Sequence, residues 1–211
     1  MLRLCVTFAI VGALAGCVAE EVMAPPEAVQ RAAYVPDGPP KVTLVTMISN
    51  SSGAGGHSAL IIDGAQRVVF DPAGSWFHPM VPERNDVLYG MGEPFMGYYM
   101  DYHARETYHV VVQEREVAPE TAASLIAAVE SYGAVPNAQC SLSISRVLSR
   151  TPGFEEIGTS WFPARTMDNF GRLSGVRETR VYDDDSDDNL ELLQAQARAA
   201  QLQAEMAAMG N

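Results

Sequence analysis

Apolar and polar positions alternate along the chain with two periods, and the points where one gives way to the other mark its elements. Lys41 to Ile48 is rich in β-branched residues and predicts a strand. After a Gly/Ser loop from Ser49 to Gly56, the run His57 to Ile62 predicts a second strand, Asp63-Gly64 a turn, and Arg67 to Phe70 a third strand closing on Asp71-Pro72. These strands are apolar on both faces, the pattern of a sheet covered on both sides. Tyr108 to Gln113 reads as another strand, with His109 among apolar neighbours, and Val176 to Tyr182 as the last. Helical stretches fall at Glu93 to Glu106, which carries Tyr98, Tyr99, Tyr102 and His103, at Pro119 to Tyr132, and from Cys140 to Leu148. Pro119 and Glu120 suit the first turn of a helix. Gly74 to Gly92, dense in Pro and Gly with Trp76, Phe77 and His78, reads as a long loop lining a cleft. Pro152 to Gly158 is read as loop and Trp161 to Gly171 as a short amphipathic turn. Together these predict an α+β domain over 41–182, with an acidic, Ala/Gln-rich tail over 183–211. In that tail an acidic run, Asp183 to Asp188, leads into Leu190 to Met209, read either as a solvated helix with a thin stripe of Leu190, Leu193, Ala197 and Ala200 or as a frayed or disordered end.

The N-terminus bears on the compartment. Arg3 stands in a short basic region, and Leu4 to Ala13 is apolar but too short for a stable membrane span, which fits a cleaved secretory signal over 1–16. Leu14-Ala15-Gly16-Cys17 follows and resembles the lipobox of bacterial lipoproteins. That resemblance implies that Cys17 becomes a lipid-bearing N-terminus, anchored in a bilayer by acyl chains such as palmitate. Val18, in place of an Asp, implies the periplasmic face of the outer membrane. Residues 17–40, with Pro25-Pro26 and Pro39-Pro40, show no sustained apolar period and read as a tether. Fully extended, it would reach on the order of 70 Å.

Cysteine usage sharpens the picture. Of three Cys, Cys5 leaves with the signal and Cys17 is consumed by lipid, so Cys140 alone remains and no internal disulfide can form. A single thiol in an oxidising compartment is either reactive, bridged to another molecule, or buried deeply enough to escape. The net charge of -12 and pI near 4.6 argue against nucleic acid or anionic lipid surfaces as partners.

Cys140 follows Pro136-Asn137-Ala138-Gln139, with Asn137 expected as the helix N-cap. Free amides and the positive end of the helix dipole in a first turn favour a thiolate, which is the nucleophilic form. Ile144, Val147 and Leu148 follow at i+4, i+7 and i+8, so the Cys faces the domain; a small core residue would show the same spacing. His57 opens one strand of the hairpin and Asp71 ends its partner. A three-residue turn from Asp63 to Ala65 would oppose them directly on one face, whereas a one-residue change of register would separate them. A carboxylate beside an imidazole fixes its tautomer and favours the protonated ring that a thiolate needs. His109 is the alternative orienting group. Gly55 and Gly56 allow close approach of backbone or substrate. No metal is expected, since no two of His57, His78, His103 and His109 show close ligand spacing with carboxylates, and no cofactor motif is present.

Gly56-His57 opening a strand, a hairpin whose far strand ends in a polar residue, and a late Asn-x-x-Cys at a helix start resemble the circularly permuted branch of the NlpC-type papain-like superfamily, over about Val42 to Arg150. The resemblance implies an antiparallel sheet packed on the Cys-bearing helix, with Cys140 as nucleophile, His57 as base and Asp71 as orienting group. It also implies acyl transfer through a thioester, on cell-wall peptides as an amidase or peptidase, or on an acyl lipid. The Asn137 to Cys140 spacing is wider than in many members. The other reading is a lipoprotein that uses the same fold as a binding or scaffolding module, with Cys140 inert.

Overall fold

Val, Ile, Leu and Thr supply most of the buried positions of Lys41–Ser49 (β1), Gly55–Asp63 (β2) and Arg67–Phe70 (β3), where side chains stiff at χ1 suit a pleated surface. The structure, a computed structural model, describes residue 19 and residues 21–209; the expected signal peptide over 1–16 and the lipidated Cys17 lie outside the described residues. Glu83–Arg84 (β4), Val87–Tyr89 (β5), Tyr108–Glu116 (β6) and Arg177–Val181 (β7) complete a seven-stranded antiparallel sheet of order β4-β5-β3-β2-β1-β6-β7. Six α-helices accompany it among the described residues: Pro26–Ala32 (α1), Glu93–His103 (α2), Pro119–Glu130 (α3), Cys140–Ser149 (α4), Pro163–Gly171 (α5) and Asn189–Met209 (α6). The class is α+β, and no described helix is long and apolar enough to cross a membrane.

Both faces of the sheet are covered, as the doubly apolar strands require. Val42, Leu44, Leu60, Ile62, Val68 and Phe70 meet Leu125 and Val129 of α3, Ile144 and Leu148 of α4 and Phe170 of α5. On the opposite face Val45, Met47, Ala59, Ile61 and Val69 meet Met96 and Tyr99 of α2 together with Trp76.

The β2–β3 register differs from the expected one by a full pleat. The last pair is Asp63↔Arg67, so the turn is Gly64 to Gln66 and not Asp63 to Ala65. A buried ion pair holds it there, with Arg67 Nε donating to Asp63 Oδ1 at 2.6 Å and Nη2 donating to Oδ2 at 3.2 Å. Continued by one residue, this register sets Asp71 against Ala59 and diagonal to His57. A shift of two residues leaves the face of every side chain unchanged, so His57 and Asp71 still share one.

Three other segments depart from expectation. Residues 21–40 of the expected 17–40 tether fold onto the domain: α1 forms, Met23 bridges to Arg84, Arg67 N donates to the Tyr34 carbonyl at 2.8 Å, and the Arg67 guanidinium lies 5.2 Å over the Tyr34 ring. Single side chains and main-chain bonds dock this segment, so it has no apolar period for a sequence to display. The stretch from Gly74 to Gly92 is not one loop, because β4 and β5 extend the sheet beside β3 and Trp76 and His78 are buried. The C-terminal helix α6 is not wholly solvated: Gln196 and Ala200 are buried, and Leu193 packs on the second core face.

Candidate active site

β3 ends at Phe70, so the first half of β2, Gly55 to Ala59, has no β3 partner. The start of α4 packs in beside this unpaired stretch, and a main-chain N–H at Ser58 reaches the Cys140 sulfur. Small residues permit the approach. Ser141, Ser143 and Ser145 are buried, and each hydroxyl has a partner: Ser141 Oγ lies 2.8 Å from Thr166 Oγ1, Ser143 Oγ donates to the Cys140 carbonyl at 2.8 Å, and Ser145 Oγ accepts from Ser160 N at 2.9 Å. A Cβ at Gly55 would stand only 2.7 Å from Pro163 Cβ, so α5 can close on β2 because that position is glycine.

Cys140 is the first residue of α4. Asn137 is not the N-cap: that place belongs to Gln139, which makes no side-chain cap bond, and the left-handed Ala138 (φ 64°) turns the chain immediately before it. No side chain therefore caps the first-turn amides, and that of Ser141 reaches the Cys140 sulfur. His57 Nε2–H donates to Asp71 Oδ1 at 2.6 Å, with side chains 18% and 3% exposed. That bond leaves Nδ1 as the ring nitrogen free for the sulfur, and His57 stands close enough to Cys140 for the two groups to act on each other's charge. Gly74 makes room for the carboxylate, since any Cβ there would collide with Asp71.

The electrostatics favour an ion pair. Burial opposes a charge on His57, but the charge and hydrogen bond of Asp71, with the Cys140 sulfur adding to them, raise its pKa to about 10. Burial pushes the Cys140 thiol up, yet the His57 hydrogen bond and charge, helped by the Ser58 and Ser141 amides, hold it below its ordinary value. Burial likewise pushes Asp71 up, and the charge and hydrogen bond of His57 bring it below the usual carboxylate range. The coherent state of the three is thiolate, imidazolium and carboxylate.

Two residues of α2 that were expected only as packing aromatics and a neighbouring His belong to this cluster. His103 stacks on His57, ring centroids 6.0 Å apart and 12° from parallel, and its Nδ1–H donates to the Tyr99 carbonyl at 2.8 Å. Burial pushes its pKa down to about 4, with Asp71 opposing and the charge on His57 adding to the fall, so it stays neutral beside the imidazolium. The Tyr99 hydroxyl, fully buried, makes no hydrogen bond of good geometry but stands close enough to act on the Asp71 carboxylate. Tyr99 and His103 lie four apart on one helix face, a spacing that could have marked them as neighbours.

The fold thus assembles a group that sequence spacing did not show: ligand atoms of His57, Asp71 and His103 lie within 4.8 Å of one another. A tetrahedral metal holds its ligands about 3.3 Å apart. The 2.6 Å between His57 and Asp71 is instead a hydrogen bond, and an ion could enter only by breaking it. His109 is not part of the site; its Nδ1–H donates to Asn50 Oδ1 at 2.7 Å and its ring stacks on Tyr182. His78 is buried among Trp76, Phe95 and Tyr98.

A cavity of about 400 Å³ opens on the His57 side, walled by Met47, His57, Tyr102, His103 and Arg105 and roofed by Asp187 and Asn189. Cys140 is only 7% exposed and is not part of its lining. No protein-family model, curated protein or solved structure matches the chain.

Proposed function

We propose that this chain is a cysteine hydrolase of the circularly permuted NlpC, papain-like type, an amidase or peptidase acting on cell-wall peptides and anchored to the cell envelope by lipid on Cys17. The observation that carries the reading is the alignment of three groups: buried Asp71 bonded at 2.6 Å to His57, and His57 acting on a thiol at the start of α4. The Cys140 thiolate would attack the substrate carbonyl carbon, and the uncapped first-turn amides, including that of Cys140, would receive the developing oxyanion. His57, charged at that moment, gives its Nδ1 proton to the leaving amine as the C–N bond breaks and a thioester remains. A water then gives a proton back to His57 while its oxygen attacks the thioester, releasing the acid and restoring the thiolate.

Purified mature protein incubated with cell-wall fragments and, separately, with phospholipid vesicles should release products visible by mass spectrometry. Cys140→Ala should release none. Product from phospholipid alone would move the reading to a lipid acyltransferase or lipase. Iodoacetamide near neutral pH should label Cys140 much faster than a model thiol, and His57→Ala should slow it. The low exposure of Cys140 favours a second reading, a binding or scaffolding lipoprotein with an inert thiol, and a slow rate unaffected by His57→Ala would establish it. Anchoring has its own test: labelled palmitate should attach to the chain in cells and fail to do so in Cys17→Ala.

A further inference from the structure

Arg105 is 6% exposed, and its guanidinium is poorly served for a buried cation. Nη1 reaches Asp185 Oδ2 at 3.3 Å and Asp101 Oδ1 only at 4.0 Å, while Nε and Nη2 are sealed from solvent and have no hydrogen-bond partner among the described residues. Buried charged donors left unpaired are costly, so such a group is normally completed by a ligand or an anion. Its position is fixed by main-chain bonds between Arg105 and Tyr108, at 2.8 and 3.0 Å, and by Asn50, which donates to the Arg105 carbonyl at 3.4 Å. It forms part of the wall of the cavity that His57 lines, close enough to His103 for its charge to be felt there.

What roofs the cavity is an acidic strap, 183–189, leading into α6. Asp185 pairs with Arg105 from a side chain 66% exposed, and its carbonyl accepts from Glu106 N at 2.9 Å. Both Asp187 carboxylate oxygens accept from Thr107 Oγ1 at 2.8 Å, and Asn189 Nδ2 donates to the Tyr102 carbonyl at 3.2 Å. Asp185, Asp187 and Asn189 thus tie the strap to Arg105, Glu106, Thr107 and Tyr102 where it crosses the mouth.

We propose that Arg105, in the wall of the cavity beside His57, binds a carboxylate group of the substrate, and that Asp185 of the strap pairs with Arg105 in the substrate's place. Lifting the strap would remove Asp183, Asp185 and Asp187 together. Arg105 would then be left with Asp101 alone and with its unpaired N–H groups free to fork onto an incoming carboxylate. The substrate class is therefore an acyl compound with a free carboxylate near the bond that is cut. This rests on the cysteine hydrolase reading only in taking the ligand to be the substrate.

Two probes with the same electrophile and nearly the same length, N-bromoacetylglutamate and N-bromoacetylglutamine amide, separate the two ideas when used on the full mature chain. The labelled residue is identified by mass spectrometry, and free cysteine serves as the reference. The charged-to-neutral rate ratio at Cys140 should exceed that of free cysteine, rise in Asp185→Asn, and fall in Arg105→Gln by about tenfold, the factor expected for one charge-assisted hydrogen bond. Arg105→Lys should recover part of it. An equal ratio in wild type and a folded Arg105→Gln would overturn the subsite. If Arg105→Gln does not fold, glutarate is the arbiter: it should raise the melting temperature of Asp185→Asn above that of wild type, and no rise overturns the proposal. A neutral probe no faster than with free cysteine in every chain, together with stabilisation by glutarate, would remove the hydrolase and keep the anion site.

Discussion

Replacing Cys140 with Ala removes the sulfur while leaving the His57–Asp71 pair, so the stability difference between the two chains isolates the thiol's proton. An unfolded thiol ionises near pH 8.5, whereas folded Cys140, buried but held by the His57 charge and hydrogen bond, ionises lower. Between those two points the unfolded chain binds one more proton than the folded chain, and stability rises with pH by about 1.4 kcal/mol per pH unit. Wild type should therefore lose stability relative to Cys140→Ala as the pH falls below about 8.5, reaching about 2.7 kcal/mol at pH 6.5 if the sulfur is a thiolate throughout. His57 has the opposite sign. Its pKa is raised to about 10, so its contribution is whole below its unfolded value near 6.5 and is lost as the pH rises through about 10. In wild type the two effects cancel between about pH 6.5 and 8.5 wherever folded Cys140 is a thiolate, because each state then holds one proton across the pair. A flat profile is expected there, against a falling one in Cys140→Ala. His103, lowered to about 4, favours unfolding in acid in both chains and drops out of the comparison. Urea midpoints measured at close pH intervals at constant ionic strength, with m-values checked for constancy, give the difference directly. Parallel profiles would mean that the folded sulfur is an ordinary thiol, and the ion-pair mechanism would fail.

Asp71→Asn keeps an oxygen acceptor but removes its charge, so the His57 imidazole followed by NMR should titrate at least about 1–2 pH units lower, the equivalent of one charge-assisted hydrogen bond, and iodoacetamide labelling at pH 6 should slow. An unmoved titration would mean that Asp71 does not support the imidazolium. Gly74→Ala forces the Asp71 carboxylate aside, so it should lower stability by about 1–3 kcal/mol and slow Cys140 labelling towards the His57→Ala rate. Ser141→Ala strands the buried Thr166 hydroxyl and should destabilise the fold by about 1–3 kcal/mol, most of which Ser141→Ala/Thr166→Val recovers. No recovery in the double variant would place the cost elsewhere.

Strand identity was legible because it rests on local chemistry: β-branched runs at 41–48 and 67–70 are strands wherever they pack. The face shared by His57 and Asp71 was legible too, since parity survives an error of two residues. The register itself was not, because it depends on Arg67 reaching Asp63, a contact that no alternation of apolar residues announces. Asn137 was read as the cap from its residue type, but Ala138 turns left-handed and the helix start lies two residues on, with Gln139 as the cap. Residues 21–40 looked like a tether because their partners, Arg84 and Arg67 among them, lie far along the chain. His103 and Arg105 escaped for the same reason. They sit within and just after α2, and only the packing of α2 on the sheet brings them to His57.

The recessed position of Cys140 governs what can meet it. Two folded copies would have to interpenetrate to bring their Cys140 sulfurs to the about 2.05 Å of a covalent link, so this thiol is shielded from cross-linking. Anything that reacts there must be slender enough to reach a sulfur on a residue only 7% exposed.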